Sequence, residues 1–193
     1  DGSTETYIVN MSAHPYITGL KTDKSSGKEL SADYTYYMEQ IISSAENNNT
    51  NFMFINGHAG NVPMVGQVCR PLERELGIKT AQVDWWRFTQ QKALGVCETT
   101  GWMCHGHASE CGTSVMLHLH PEYVDMSKAE RVTPKEGEEY GKFDDFIDYT
   151  VFNETTECGI LGDATIATAE KGKVVVERCV DRIAEYMHEK FGC

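Results

Sequence analysis

Two short segments hold the residue types that could do chemistry. The first, Asn56-Gly-His-Ala-Gly-Asn61, places one imidazole, His58, between glycines. Gly57 and Gly60 permit tight turns and close approach of the backbone to a bound group. The second, His105-Gly-His-Ala-Ser-Glu110, concentrates two imidazoles and a carboxylate. Such groups bind divalent cations, and a carboxylate can bridge or hold a metal hydroxide. Each segment also has a plainer reading. A histidine in a glycine-rich loop can be a hydrogen-bonded turn residue, and Glu110 suits the first turn of a helix, where the macrodipole favours negative charge. Taken together they describe two histidine-bearing loops, each at a helix entrance. If they converge, they make a site for a metal-activated water.

The elements around them must do the positioning. Phe52-Met-Phe-Ile55, bounded by polar residues, predicts a buried strand, and His58 lies just past its end. Met64, Val65, Val68, Leu72 and Leu76 recur on one helical face, with Gly77 as a stop and Pro71 expected to kink or divide the helix. Residues 79–88 (KTAQVDWWRF) predict a second strand, and Ser109–Leu119 a helix that Pro121 terminates. A helix capped by Ser31 is expected upstream, where Tyr34, Tyr37, Met38, Ile41, Ile42 and Ala45 recur at helical spacing. Residues 1–30 read as polar and irregular. Two helices near 163–171 and 173–190 should close the chain, the last with an apolar packing stripe of Val175, Cys179, Ile183 and Met187. Strand–helix alternation points to an α/β fold with a mostly parallel sheet, whose functional groups collect beyond the strands' carboxyl ends.

Nothing marks a second domain, so residues 1–193 read as one. The net charge of −12 argues against a phosphate backbone as partner. The densest acidic stretch, 136–148, reads as a solvated loop. No run approaches the roughly 20 apolar residues of a membrane span. With no recognisable signal peptide, a cytoplasmic location is the default expectation. The seven cysteines include no CxxC pair and read as reduced thiols.

The motifs resemble those of the creatininase family of metal-dependent amidohydrolases. One family signature, approximately Asn-Gly-His-x-Gly-Asn, matches residues 56–61. A second, approximately His-Ala-Gly-Glu-x-x-Thr-Ser followed by a Leu-rich helix and Pro-Glu, matches His107-Ala-Ser-Glu-Cys-Gly-Thr-Ser114 and the segment through Pro121-Glu122. A third, approximately Gly-Asp-x-x-x-Ala-Thr-Ala-Glu-Lys-Gly, matches Gly162–Gly172. The resemblance spans roughly residues 31–190.

It implies a three-layer α/β/α sandwich, commonly assembled as a homo-oligomer, often a hexamer. It also implies two divalent ions per site, with zinc expected first and manganese or iron as alternatives. His58 would bind one ion and Glu110 the other, while His107 transfers a proton to the leaving group. Trp86 and Trp102 would supply aromatic walls for a small polar substrate, with Ser12 (in Ser12-Ala-His14) and Gly57 beside it. The bond cleaved would be an amide-type C–N bond, as in a cyclic amide or formamide, with cyclic polyol ketones as another substrate class.

The sequence departs from the family at its start. The expected strand followed by Glu-x-His and an Asp is not recognisable, and Glu5 and Asp23 echo it only faintly. The missing ligands could belong to a lost segment, to a second chain or to nothing; the alternatives to an enzyme are a non-catalytic subunit working with a partner that contributes them and a fold with an empty site that binds a small molecule. Gly60 stands where creatininase itself has an acidic ligand, which points away from that enzyme.

Overall fold

A computed structural model of the chain describes residues 50–133 and 156–192, together with the strand backbone of residues 5–11, 21–22 and 29–30. Two compact units are distinguished, Asp1–Trp85 with Tyr186–Cys193, and Trp86–Glu185.

The first unit is built on a parallel sheet. Its strands are β1 (Glu5–Met11), β4 (Thr50–Asn56) and β5 (Thr80–Asp84), in the order β1-β4-β5. β2 (Lys21–Thr22) and β3 (Glu29–Leu30) form a separate antiparallel pair. β1 corrects the reading of residues 1–30 as irregular. Tyr7, Ile8 and Val9 are strand-favouring side chains that pair in register with Phe52, Met53 and Phe54. β4 owes its central place to its apolar run. Successive side chains point to opposite faces, yet Phe52, Met53 and Phe54 are all buried, so both faces of the strand are covered.

A 3₁₀ turn, Ala59–Asn61, leads from β4 into helix α1 (Val62–Leu76), which packs against β5 through a face that buries Val65 and Leu72. Pro71 lies inside α1 without dividing it, and Gly77 ends the helix in the left-handed conformation. The strand expected at 79–88 stops at Asp84. Trp85 opens helix α2 (Trp85–Lys92) instead, so the aromatic run is helical. The reason is tertiary: the Trp85 indole donates to the Gly57 carbonyl, a contact that overrides the β preference of Trp and Phe.

The second unit carries α3 (Trp102–His105), α4 (Glu110–Leu119), the short antiparallel pair β6 (Arg131–Val132) and β7 (Gly162–Asp163), and α5 (Ala169–Tyr186). The two expected closing helices are one. Residues 163–168 are not helical, because the Asp163 carboxylate accepts from Thr165 N–H and Oγ1, and Thr168 Oγ1 then accepts from Lys171 N at the true start. The apolar stripe holds: Val175 is fully buried, and Cys179, Ile183 and Met187 are half-buried among exposed neighbours. A π-helical turn, Met187–Phe191, ends the chain. The Ser31 helix and the acidic 136–148 stretch lie outside the described residues.

Candidate functional site

In the first unit, the carboxyl ends of β4 and β5 hold a polar network. Register places Asn56 opposite Asp84, and Asn56 Nδ2 donates to Asp84 Oδ1 at 2.9 Å. Gln82 Nε2 donates to the same oxygen at 2.6 Å. Asn56 Oδ1 accepts from both His58 N and Asn61 Nδ2, each at 3.1 Å. Asn56 and Asn61 are fully buried, so each must find partners inside the protein. These contacts explain the two asparagines of the first motif: they shape the loop that presents His58. His58 caps the 3₁₀ turn, its Nδ1 accepting from Gly60 N–H at 3.1 Å.

In the second unit, His107 is held by the residues just before the third motif, and Glu110 by a lysine within it. His107 pairs with Leu161 through two backbone hydrogen bonds, and its Nδ1 bonds the Gly159 carbonyl. A carbonyl only accepts, so Nδ1 carries a proton. In the neutral ring the basic nitrogen is therefore Nε2. The ring is exposed. Close approach of the backbones requires glycine here: a Cβ on Gly106 would sit 1.9 Å from Leu161 O, and one on Gly162 would sit 2.1 Å from Ser109 Oγ. Ser109 uses its hydroxyl to donate to Met103 O and accept from Asp163 N, fastening the second motif to the third.

Glu110 has no exposed surface. Oε1 accepts from Glu98 N at 2.9 Å and Lys171 Nζ at 2.7 Å, while Oε2 accepts from Thr99 N at 2.8 Å and Thr99 Oγ1 at 2.5 Å. Burial alone would raise its pKa. The Lys171 ammonium, the Thr99 hydroxyl and the two amides outweigh that and hold the carboxyl below its ordinary range. His105 is a core residue: burial, against a smaller opposing effect of Cys104, lowers its pKa to about 4, and its Nδ1 meets Thr89 Oγ1.

Three of the cysteines read from the sequence as reduced thiols lie together. The sulfurs of Cys97, Cys104 and Cys111 are all within 4.8 Å of one another. Hydrogen bonds from the Cys111 and Cys97 thiols draw Cys104 down to about 4, and Cys97, as a donor to it, is pushed up to about 12. Among the described residues this is the one group of three or more His, Cys, Asp or Glu side chains close enough to share an ion.

The other expected substrate contacts are placed individually. Trp86 lies half-buried in the first turn of α2, and Trp102 half-buried at the start of α3. The Gly57 carbonyl is taken by Trp85, and Ser12 lies outside the described residues. Sequence reasoning missed Asn56, Asp84, Trp85, Thr99 and Lys171 as organising residues. Of these, Asn56 and Lys171 stood inside matched motifs, where their types could have signalled a buried amide network and a buried counter-ion.

Imidazole and carboxylate are suitable donors for a divalent cation, but each residue is engaged. An ion at His58 must replace the Gly60 amide at Nδ1, or bind Nε2 after the ring proton moves to Nδ1, which gives up the same bond. At Glu110 it must displace the Lys171 ammonium. The donor types fit, with one rearrangement at each residue.

The chain belongs to the creatininase family: the family model described as creatinine amidohydrolase matches residues 31–187. It is 30% identical over 154 residues to creatinine amidohydrolase of Pseudomonas putida, covering 72% of this chain and 55% of that protein. It is 31% identical over 147 residues to the mycofactocin precursor peptide peptidase of Mycobacterium tuberculosis, covering 72% of this chain and 50% of the relative. The chain thus spans about half the length of these curated relatives. Among solved structures it is similar to a manganese form of creatininase (TM-score 0.59, 27% identity, 80% of this chain and 62% of that one). It is equally similar to a Zn–Zn type of a creatininase mutant (TM-score 0.59, 27% identity, 86% and 66%). The fold is therefore the α/β fold of creatininases, as the sequence implied.

Proposed function

We propose that the chain is a metal-dependent hydrolase that cleaves an amide-type C–N bond of a small polar molecule. His58 and Glu110 serve as ligands of divalent ions, zinc or manganese by analogy with the similar structures. His107 is the proton-transferring residue. When bound, the ions would lower the pKa of a water and polarise the scissile carbonyl. The chain's own residues do the rest. The Asn56–Asn61 pair fixes the loop of His58, and the Gly159 carbonyl fixes the His107 tautomer so that Nε2 can give a proton to the leaving nitrogen and take it up again. Trp86 and Trp102 supply apolar walls.

The observation that carries this reading is the tautomer of an exposed histidine inside a family motif. A histidine kept only for packing needs no defined tautomer on a solvent-facing ring. The test is hydrolysis of a panel of cyclic amides, formamides and short peptides by metal-loaded protein. His107→Gln should lower kcat by about 10²–10⁴-fold at unchanged metal content. Wild-type turnover in that variant would remove His107 from the reaction.

One observation favours a second reading, a non-catalytic family member acting with a partner chain. All four bonds at Glu110 are already made within the protein, one of them by a cation. Metal content separates the two: purified protein holding stoichiometric ions bound outside the thiol cluster is an enzyme, and protein that neither holds nor takes them there is the non-catalytic form.

A further inference from the structure

We propose that Cys97, Cys104 and Cys111 form a trithiolate site for a thiophilic d¹⁰ cation of the zinc type, separate from the His–carboxylate chemistry of the family. The three come from different elements: Cys97 from the turn after α2, Cys104 from α3 and Cys111 from the first turn of α4. Convergence from three elements is what a site needs and what mere sequence proximity does not give. Their sulfurs lie within 4.8 Å of one another. Zinc held at about 2.3 Å by tetrahedral thiolates requires sulfurs about 3.8 Å apart, so no pair has to close by more than about 1 Å. All three are free thiols.

The ion has an entrance. A cavity of about 230 Å³ adjoins the cluster, with Cys97 and Cys104 in its wall beside Gln90, Gln91, Leu94 and Thr99. A fourth ligand, water or a small anion, could reach the ion from this side; Cys111 itself has no exposed surface. Thiolate ligands select soft or borderline ions over magnesium or calcium. Binding displaces the thiol protons to solvent.

The competing account is three small side chains filling a core. Cobalt(II) distinguishes them, because sulfur-to-cobalt charge-transfer absorption arises only from thiolate ligation and not from imidazole or carboxylate ligands. The full chain, reduced and freed of metal, is titrated with cobalt(II). The expected result is that absorption, saturating near about one equivalent and bleached by zinc(II). It should be lost in Cys97→Ser and in Cys104→Ser, each checked for folding by circular dichroism, and kept in Cys158→Ser, whose thiol is exposed and remote from the cluster in sequence. No charge-transfer band in folded wild-type protein overturns the proposal. So does a band that survives both cluster variants, or a disulfide between any two of the three in protein purified without reductant. A protein that shows the band yet hydrolyses no amide leaves this site standing while the proposed enzymatic function falls.

Discussion

Lys171→Met should destabilise the protein severely, even with every metal ion removed. Lys171 Nζ reaches Glu110 Oε1 at 2.7 Å, Glu98 Oε1 at 2.9 Å and the Ile166 carbonyl at 2.8 Å. The Glu98 carboxylate is 69% exposed, so screening leaves that contact worth little. Glu110 is different: its side chain has no exposed surface, and Lys171 is its only cation partner among the described contacts. Removing the ammonium strands a buried carboxylate, which costs about 3–5 kcal/mol. For a chain of this length that corresponds to a fall of about 6–20 °C in Tm.

Glu110→Gln should cost a similar amount, because its NH₂ must face at least one donor that cannot accept whichever way the amide turns: Glu98 N and Lys171 Nζ, or Thr99 N. The double variant has no stranded charge and should recover about 0.5–3 kcal/mol of the summed losses. Thermal and urea denaturation of chelator-treated protein reads these values. The pH dependence follows with a definite sign. The folded Glu110 pKa lies below its ordinary value of 4.5, so its contribution is complete above that pH and is lost as pH falls through the folded value. Lys171→Met should move this acid limb upward. A single variant, Lys171→Met or Glu110→Gln, within about 0.5 kcal/mol of wild type would show that the carboxylate is not a structural anchor.

Gly172→Ala sets helix propensity against sterics. Alanine gains about 1 kcal/mol inside α5, but its Cβ would lie 1.9 Å from the Ser114 carbonyl oxygen, so α5 must shift. A net loss of about 3 kcal/mol in urea denaturation is expected. His105, with its folded pKa near 4 against 6.5, should make the wild type lose about 3 kcal/mol as pH falls from 6.5 to 4, because the unfolded chain binds the proton first. His105→Gln should flatten that slope; an unchanged slope would assign it to other groups. Asn56→Ala leaves Asn61, Asp84 and the His58 amide each short of a partner and should cost about 3 kcal/mol. It should also speed hydrogen exchange at residues 57–61, and unchanged exchange there would mean that the loop is held by something else.

The central strand, α1 with its glycine stop, and α4 were legible because periodicity and capping residues act locally, within a few positions. β1 was not: its strand-favouring run sits among polar neighbours and is defined by pairing with β4, about forty-five residues away. The end of β5 was misread for the same reason, since only the Trp85–Gly57 contact tells a helical tryptophan from a strand one. His58, His107 and Glu110 stood out because imidazoles and a carboxylate gather there in two short motifs among glycines and other small residues. Lys171 stood in the third motif without an assigned role, and only the fold brings it to a carboxylate sixty-one positions before it.

The same contact links two features that the sequence keeps apart. Glu110 directly precedes Cys111, and its oxygens hold the Glu98 and Thr99 amides, the two residues that follow Cys97. One buried carboxylate therefore fixes the segments carrying two of the three clustered thiols, and Lys171 supplies the charge that keeps it ionised there. A carboxylate used in this way is committed to architecture. For Glu110 to act also as a metal ligand, the 98–99 turn would have to be held by other means once Lys171 was displaced. The amides at Glu98 and Thr99 can remain on the carboxylate while an ion replaces only the ammonium. Structural and ligand roles are thus compatible at Glu110 only through exchange of one cation for another.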